Sequence, residues 1–162
     1  MNIFKILASG KKSFQEETAS AILAWFMNPT MEHGLGYSFL SMFVQEIAKA
    51  TNNPKMFKAL IERLTPRLRG EYDSQLKLWS NLEYHVDTAF IDIVFGLDSW
   101  ILAIENKIYP QSISEGQLQR EYDGLKRKLP DLKIGMIYLV PIEEGSDMLE
   151  AKAETTFNEL SV

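Results

Sequence analysis

Two hydrophobic periods divide this chain. From Ser13 to Met27 the period is helical, with Ala19, Ile22, Leu23 and Phe26 on one stripe, and Pro29 closes it. Ser13 and Glu16 fit a capping box at its start. A loop with two glycines, Glu32-His33-Gly34-Leu35-Gly36, leads to a second helical stretch over about Tyr37 to Ala50, with Phe39, Leu40, Phe43, Val44 and Ile47 inward. A third begins at Pro54, a good first-turn residue, and runs to about Leu64 through Phe57, Leu60 and Ile61. Pro66 to Asp73 is polar and basic and reads as a connection.

The period then changes to two. Leu76, Leu78, Leu82, Tyr84 and Val86 alternate as one or two strands and end at Asp87-Thr88. Phe90–Phe95 and Trp100–Lys107 are short apolar runs rich in β-branched and aromatic residues, the mark of buried strands. Gly96-Leu97-Asp98-Ser99 has turn chemistry, so these two strands should form a hairpin. Tyr109 to Ser114 reads as a loop. Ser114 and Gln117 fit a second capping box, before a helix with Leu118, Tyr122, Leu125 and Leu129 inward that Pro130 stops. Lys133 to Val140 is nearly all apolar and predicts a central strand. The acidic remainder, 141–162, has weak pattern, with one helix expected around Met148 to Leu160. A helix between two strands makes a right-handed crossover and a parallel pair. The expected fold class is therefore α/β: a mixed central sheet flanked by helices. One domain over 1–162 is expected, mainly helical over 1–70, with the sheet core over 74–140.

Three ionisable groups break this pattern. Asp92 lies inside one apolar strand, and Glu105 and Lys107 end the next, two positions apart and so on one face. Buried charge is costly unless it is paired or bound to a metal. Two carboxylates on adjacent strands can converge on a hard cation such as Mg²⁺, which takes oxygen ligands and keeps several waters. An ammonium beside them would orient a water and stabilise developing charge, a layout that serves phosphodiester hydrolysis.

Composition narrows the alternatives. There are no cysteines, which excludes disulfides and thiolate zinc sites. The histidines, His33 and His85, are not at zinc-binding spacing and read as surface or loop residues. Glu83 on the preceding strand is a disfavoured candidate for the same cleft, and Glu17, a neighbour able to substitute for Glu16, should point to solvent. Trp25, Trp79 and Trp100 are expected in the core. No apolar run approaches the roughly 20 residues of a membrane span, and no signal-peptide pattern follows Met1, so a cytoplasmic location without membrane contact is the expectation. Net charge is −5, which speaks against nucleic-acid binding by bulk charge. Yet Arg63, Arg67 and Arg69 cluster, as do Arg120, Lys126, Arg127, Lys128 and Lys133. These are either solvated faces or a local positive surface that the acidic tail masks.

Asp92 followed by Glu105-Asn106-Lys107 resembles the PD-(D/E)XK nuclease superfamily, with Ile91 where its motif has proline. The resemblance covers roughly 13–140. Gln117 and Tyr122 are similar to the glutamine and tyrosine that follow the lysine in many members, and Glu16 to the first-helix acid of a bacterial branch. Ala89 and Phe90 stand where some members carry a basic residue, and relatives of this branch continue with further strands and helices past the point matching Val140. The resemblance implies a restriction endonuclease-like αβββαβ core with extra N-terminal helices. It implies Asp92 and Glu105 as Mg²⁺ ligands, with Mn²⁺ able to substitute, and the Asn106 carbonyl as a further contact. Lys107 would position or activate the attacking water. Glu16 would complete the site, directly or through water, or hold a second metal. Gln117 would touch phosphate or steady the lysine, and Tyr122 would pack or touch backbone. The substrate implied is nucleic acid, DNA ahead of RNA, in defence or repair, and a homodimer would suit cutting of two strands. The alternatives are a nucleic-acid-binding or oligomer-forming module that keeps the fold without the activity.

Overall fold

The computed structural model describes residues 16–51, 54–68, 77–87, 89–107 and 116–139. The expected caps Ser13 and Ser114, residue Leu76, the loop 109–114, Val140 and the C-terminal helix lie outside them. Three helices come first: α1 (Glu16–Met27), α2 (Ser38–Ala50) and α3 (Pro54–Leu68). Strands β1 (Leu78–Val86), β2 (Ala89–Leu97) and β3 (Trp100–Asn106) follow, then α4 (Gln117–Lys128) and β4 (Lys133–Leu139). The sheet order is β1-β2-β3-β4. The first two pairings are antiparallel and β3 pairs with β4 in parallel. This is the mixed sheet expected, with the crossover made by α4. Among the described residues, no helix is long and apolar enough to cross a membrane.

Each face of the sheet has its own core. One cluster joins Met27, Leu40, Val44, Phe57, Leu60 and Leu64 of the first three helices to Ile93, Phe95, Leu102 and Ile104. The other joins Leu118 and Leu125 of α4 to Val94, Ile101, Ala103, Ile134 and Met136. Covering on both sides explains why β3 is apolar at successive positions rather than alternating. It also explains β4, which is an edge strand among the described residues and not the central one expected. Its Ile134 and Met136 meet α4 while Ile137 and Leu139 meet the other layer. Coverage of both faces by helices, not strands on both sides, made it read as central.

Several local expectations are corrected. The α1 stripe is turned from the one expected: Ser20, Ala24 and Met27 are buried, while Ala19, Ile22 and Phe26 are only partly so. Phe26 instead stacks on Phe39 of α2, with ring centroids 5.2 Å apart. Trp25 is 41% exposed and so is not a core residue. Helix α3 continues through Pro66 to Leu68, where a connection was expected. The ring removes one N–H donor, whose partner would be the carbonyl of exposed Glu62, and water can take that carbonyl. Leu60 and Leu64, both fully buried, hold the helix against the sheet. Helix α4 starts with Gly116 at its N-cap, in the left-handed region, not with Ser114. Gln117 is therefore the first helical residue and its side chain is released from a capping role.

The β2–β3 turn is Asp98-Ser99, with Asp98 at φ +52. Arg63 of α3 donates to Asp98 Oδ2 from Nε at 2.9 Å and from a terminal nitrogen at 2.7 Å. Arg127 of α4 pairs with Asp87 at the β1–β2 turn. One arginine from each basic cluster is thus committed to a turn aspartate, which reduces the free positive surface. Gly96 is required by close approach: a Cβ there would stand 2.2 Å from the indole of Trp79, its partner across the β1–β2 ladder.

Candidate active site

The ladder Ile93↔Ile104 sets Asp92 opposite Glu105 one step further on. The pairs Leu82↔Ile93 and Tyr84↔Ile91 set Glu83 opposite Asp92, and Glu105 pairs with Tyr138 of β4. Glu83, Asp92, Glu105 and Tyr138 therefore form one row across four strands. At this row both β1 and β2 change phase. Ile93 and Phe95 face the first cluster and Val94 the second, but Ile91 and Ala89 also join the second. In β1, Leu78 belongs to the first and Trp79, Tyr84 and Val86 to the second. Glu83 absorbs the slip with a φ of +49, a conformation unfavourable for a residue with a Cβ.

Glu105 and Lys107 share the α4 side with Ile101 and Ala103, as strand alternation requires. Both are buried, with side chains 3% and 10% exposed, and Lys107 Nζ lies 2.7 Å from Glu105 Oε1. Gln117 Nε2 donates to that same Oε1 at 2.6 Å. The other carboxylate oxygen, Oε2, is turned toward Asp92, 3.5 Å from its backbone nitrogen. Asp92 Oδ2 accepts the Asn106 N–H at 2.7 Å, which locks the end of β3 to β2. The Lys107 N–H donates to Leu139 O at 2.9 Å and so continues the parallel pairing past Asn106. Asn106 Nδ2 stands 3.5 Å from Ser20 Oγ, a buried hydroxyl of α1. Asp92, Glu105, Asn106, Lys107 and Gln117, all singled out in the sequence, are thus brought together.

The remaining candidates divide. Glu16 opens α1, and its side chain lies outside the described residues. Its neighbour Glu17 is exposed, as expected, yet close enough to act on Glu83. Glu83 itself is exposed but stands beside Asp92, nearer the site than expected. Partial burial raises its carboxyl above the ordinary value, and the charges of Asp92 and Glu17 add to that. Tyr122 is half-buried in the α4 cluster. His33 accepts the Leu35 N–H at Nδ1 and meets Asn28 O through Nε2, and the His85 ring lies tilted against Phe90. Both are loop or surface histidines as expected.

One residue was missed. Glu121 is fully buried, and its Oε1 accepts a second hydrogen of Gln117 Nε2 at 2.7 Å. Burial, and then the charge of Glu105, push its carboxyl up to about 7. Tyr138 is likewise pushed up, by burial first and then by Glu121 and Glu105. The signal was present: Glu121 lies three residues after Leu118 and four before Leu125, on the buried stripe.

Among the described residues, no three acidic or histidine side chains gather as a metal cage. Mg²⁺ does not need one, since it is commonly held by one or two carboxylates, waters and substrate phosphate. Asp92 and Glu105, oxygen donors from adjacent strands, fit that donor set, and Asn106 could add its backbone carbonyl. Glu105 offers Oε2 because Oε1 is occupied by Lys107 and Gln117. A family model described as the PD-(D/E)XK nuclease superfamily matches residues 1–161. No curated protein and no solved structure matches the chain.

Proposed function

Because the chain belongs to the PD-(D/E)XK nuclease superfamily, we propose that it is a divalent-metal-dependent nuclease that hydrolyses phosphodiester bonds, with DNA as its substrate. The observation that carries this reading is the division of labour on Glu105. One oxygen is held by an ammonium and an amide, and the other stands 3.5 Å from the backbone nitrogen of Asp92, the acid opposite it on the next strand. A purely structural ion pair would not call for a second acid opposite it in the sheet, because each added buried charge raises the desolvation cost.

Asp92 and Glu105 would hold Mg²⁺, with the Asn106 carbonyl as a further donor. Bound there, the ion would acidify a water and take up charge on the phosphoryl oxygens. Lys107 does the positioning. Its ammonium, fixed by Glu105, would orient the attacking water and stabilise the charge that grows on the phosphate. Gln117 keeps Glu105 from rotating away. Ser20 and Asn106 hold α1 to the end of β3, and Glu16, at the start of α1, would complete the site as the family resemblance implies. The backbone locks, Asn106 N to Asp92 and Lys107 N to Leu139, fix the strand ends on which these groups sit, so little reorganisation is left for the reaction.

The test is cleavage of linear and circular DNA, and of RNA, by purified protein with Mg²⁺, Mn²⁺ or EDTA. Wild type should cut DNA with metal and lose activity in EDTA. Asp92→Ala, Glu105→Ala and Lys107→Ala should each lose at least a hundredfold. Wild type that leaves every substrate intact with either metal, yet binds DNA in a salt-dependent way, would favour the binding-module reading instead.

A further inference from the structure

Beyond the acids of the strands, α4 carries a buried carboxyl that the reaction as described does not use. Glu121 is fully buried between Leu118 and Leu125, and its Oε2 has no hydrogen-bond partner among the described residues. Such a group weakens a fold, because a leucine would pack there without an unsatisfied polar atom. Its one described hydrogen bond is to Gln117 Nε2.

We propose that Glu121 is a positioning residue for the metal-binding carboxylate, acting through Gln117: it fixes the Gln117 amide so that Glu105 Oε1 stays bonded and Oε2 stays beside Asp92. The proposal rests on the nuclease reading of the same site. The Gln117 side-chain nitrogen has two hydrogens, and two carboxyl oxygens take them, at 2.6 and 2.7 Å. Either acceptor alone would tolerate rotation about the amide. Both together fix the plane of the amide, each taking one of its hydrogens, and a flipped amide would set its oxygen against the Glu105 carboxylate. Gln117 and Glu121 are four residues apart on one helix face, so the brace is built into α4. The relay then runs Glu121, Gln117, Glu105, Lys107, each link between 2.6 and 2.7 Å. Burial, followed by the Glu105 charge, keeps the Glu121 carboxyl up to about 7, so at neutral pH a large fraction is the neutral acid, whose carbonyl oxygen is a sufficient acceptor. The brace thus orients a carboxylate without adding a full second charge to its surroundings.

What is needed at position 121 is reach and an acceptor, not a charge, and this separates the variants. Glu121→Gln keeps both and should hold kcat and Mn²⁺ affinity within about twofold of wild type. Glu121→Asp keeps the acid but is one methylene too short. It should lose about tenfold or more in kcat and in Mn²⁺ affinity, with KM for DNA little changed, as is usual when a residue behind a metal ligand is removed. Glu121→Leu should melt no lower than wild type and show the same losses. Gln117→Leu should match it, and the double variant should be no worse than either, since both act through one bond to Glu105. Mn²⁺ affinity is read by calorimetry, independently of turnover. If Glu121→Asp binds Mn²⁺ and cuts as well as wild type, or if Glu121→Gln is as impaired as Glu121→Asp, the proposal is overturned. Wild type that neither binds Mn²⁺ at a Glu105-dependent site nor cuts DNA would instead overturn the nuclease reading beneath it.

Discussion

Replacing Lys107 with methionine separates a metal site from a structural ion pair. In the folded chain Lys107 Nζ is 2.7 Å from Glu105 Oε1, and both side chains are at least nine-tenths buried. At an effective dielectric constant near 20 the gross attraction at this distance is about 6 kcal/mol. Desolvation of the two groups offsets much of it. Removing one partner from a buried pair costs about 3–5 kcal/mol, because the other charge is left behind. Glu105 keeps the Gln117 hydrogen bond at 2.6 Å, and a bond to a charged group is worth about 1.5–3 kcal/mol. The expected loss is therefore at the lower end, about 3 kcal/mol in metal-free buffer. The variant then has an extra uncompensated negative charge facing Asp92. A divalent ion should stabilise it more than it stabilises wild type, by the linkage between binding and folding. Lys107→Met should thus bind Mn²⁺ at least as tightly as wild type and yet fail to cut. Glu105→Leu with Lys107→Met removes both charges and should return to within about 1 kcal/mol of wild type, with no response to Mn²⁺. Urea unfolding followed by tryptophan fluorescence, with EDTA and with Mn²⁺, reads all three. A Lys107→Met protein as stable as wild type in EDTA, or one that Mn²⁺ stabilises no more than wild type, would refute the reasoning.

Other consequences follow from single contacts. Gly124→Ala would gain stability in an ordinary helix, but a Cβ there meets Val86 Cβ at 2.8 Å; overpacking should destabilise by about 1–3 kcal/mol, and Val86→Ala in the same chain should recover part of the loss in thermal melts. Glu83→Asn should raise stability by about 1 kcal/mol, because asparagine accepts the positive φ and the charge beside Asp92 is removed. The Glu121 carboxyl, facing Glu105, Asp92, Lys107 and Gln117, rises from 4.5 to about 7 on folding. Between those values the folded state holds more proton than the unfolded one, so stability falls as pH rises through the window, by at most about 3 kcal/mol. Relative to wild type, Glu121→Gln should therefore gain stability between pH 5 and pH 8 in paired unfolding curves, and parallel curves would count against it.

How much of this could be read from the chain depends on where each residue's partners lie. The β2–β3 hairpin was legible because its turn chemistry and both of its strands are contiguous, and with the hairpin came the opposition of Asp92 and Glu105. Lys107 followed from strand alternation alone. The depth of β4 was misjudged because an apolar run records coverage of both faces, which helices provide as well as strands do. The α1 stripe was misjudged because small Ser20 and Ala24 face the sheet, where the helix approaches closely, while bulky Trp25 and Phe26 lie outward against the His33 loop. A pattern scored by hydrophobicity follows the large residues and so picks the wrong side.

The same limit explains the acids. Asp92 stood out because it interrupts an unbroken apolar strand, where any charge is conspicuous. Glu121 interrupts a helical stripe, where polar residues lie at most neighbouring positions and one more draws no notice. Physically the two are alike: a carboxyl on a buried face, three residues from one core leucine and four from another, carries the same desolvation cost as one inside a strand. Glu83 was harder still. Its place beside Asp92 depends on a phase slip shared by two strands and absorbed by one strained residue, and no local period encodes a slip that two strands make together. Chemistry set by one strand's own alternation is therefore legible in this chain, whereas chemistry set at the seam between α4 and the sheet, or by matched distortion of neighbouring strands, had to be seen folded.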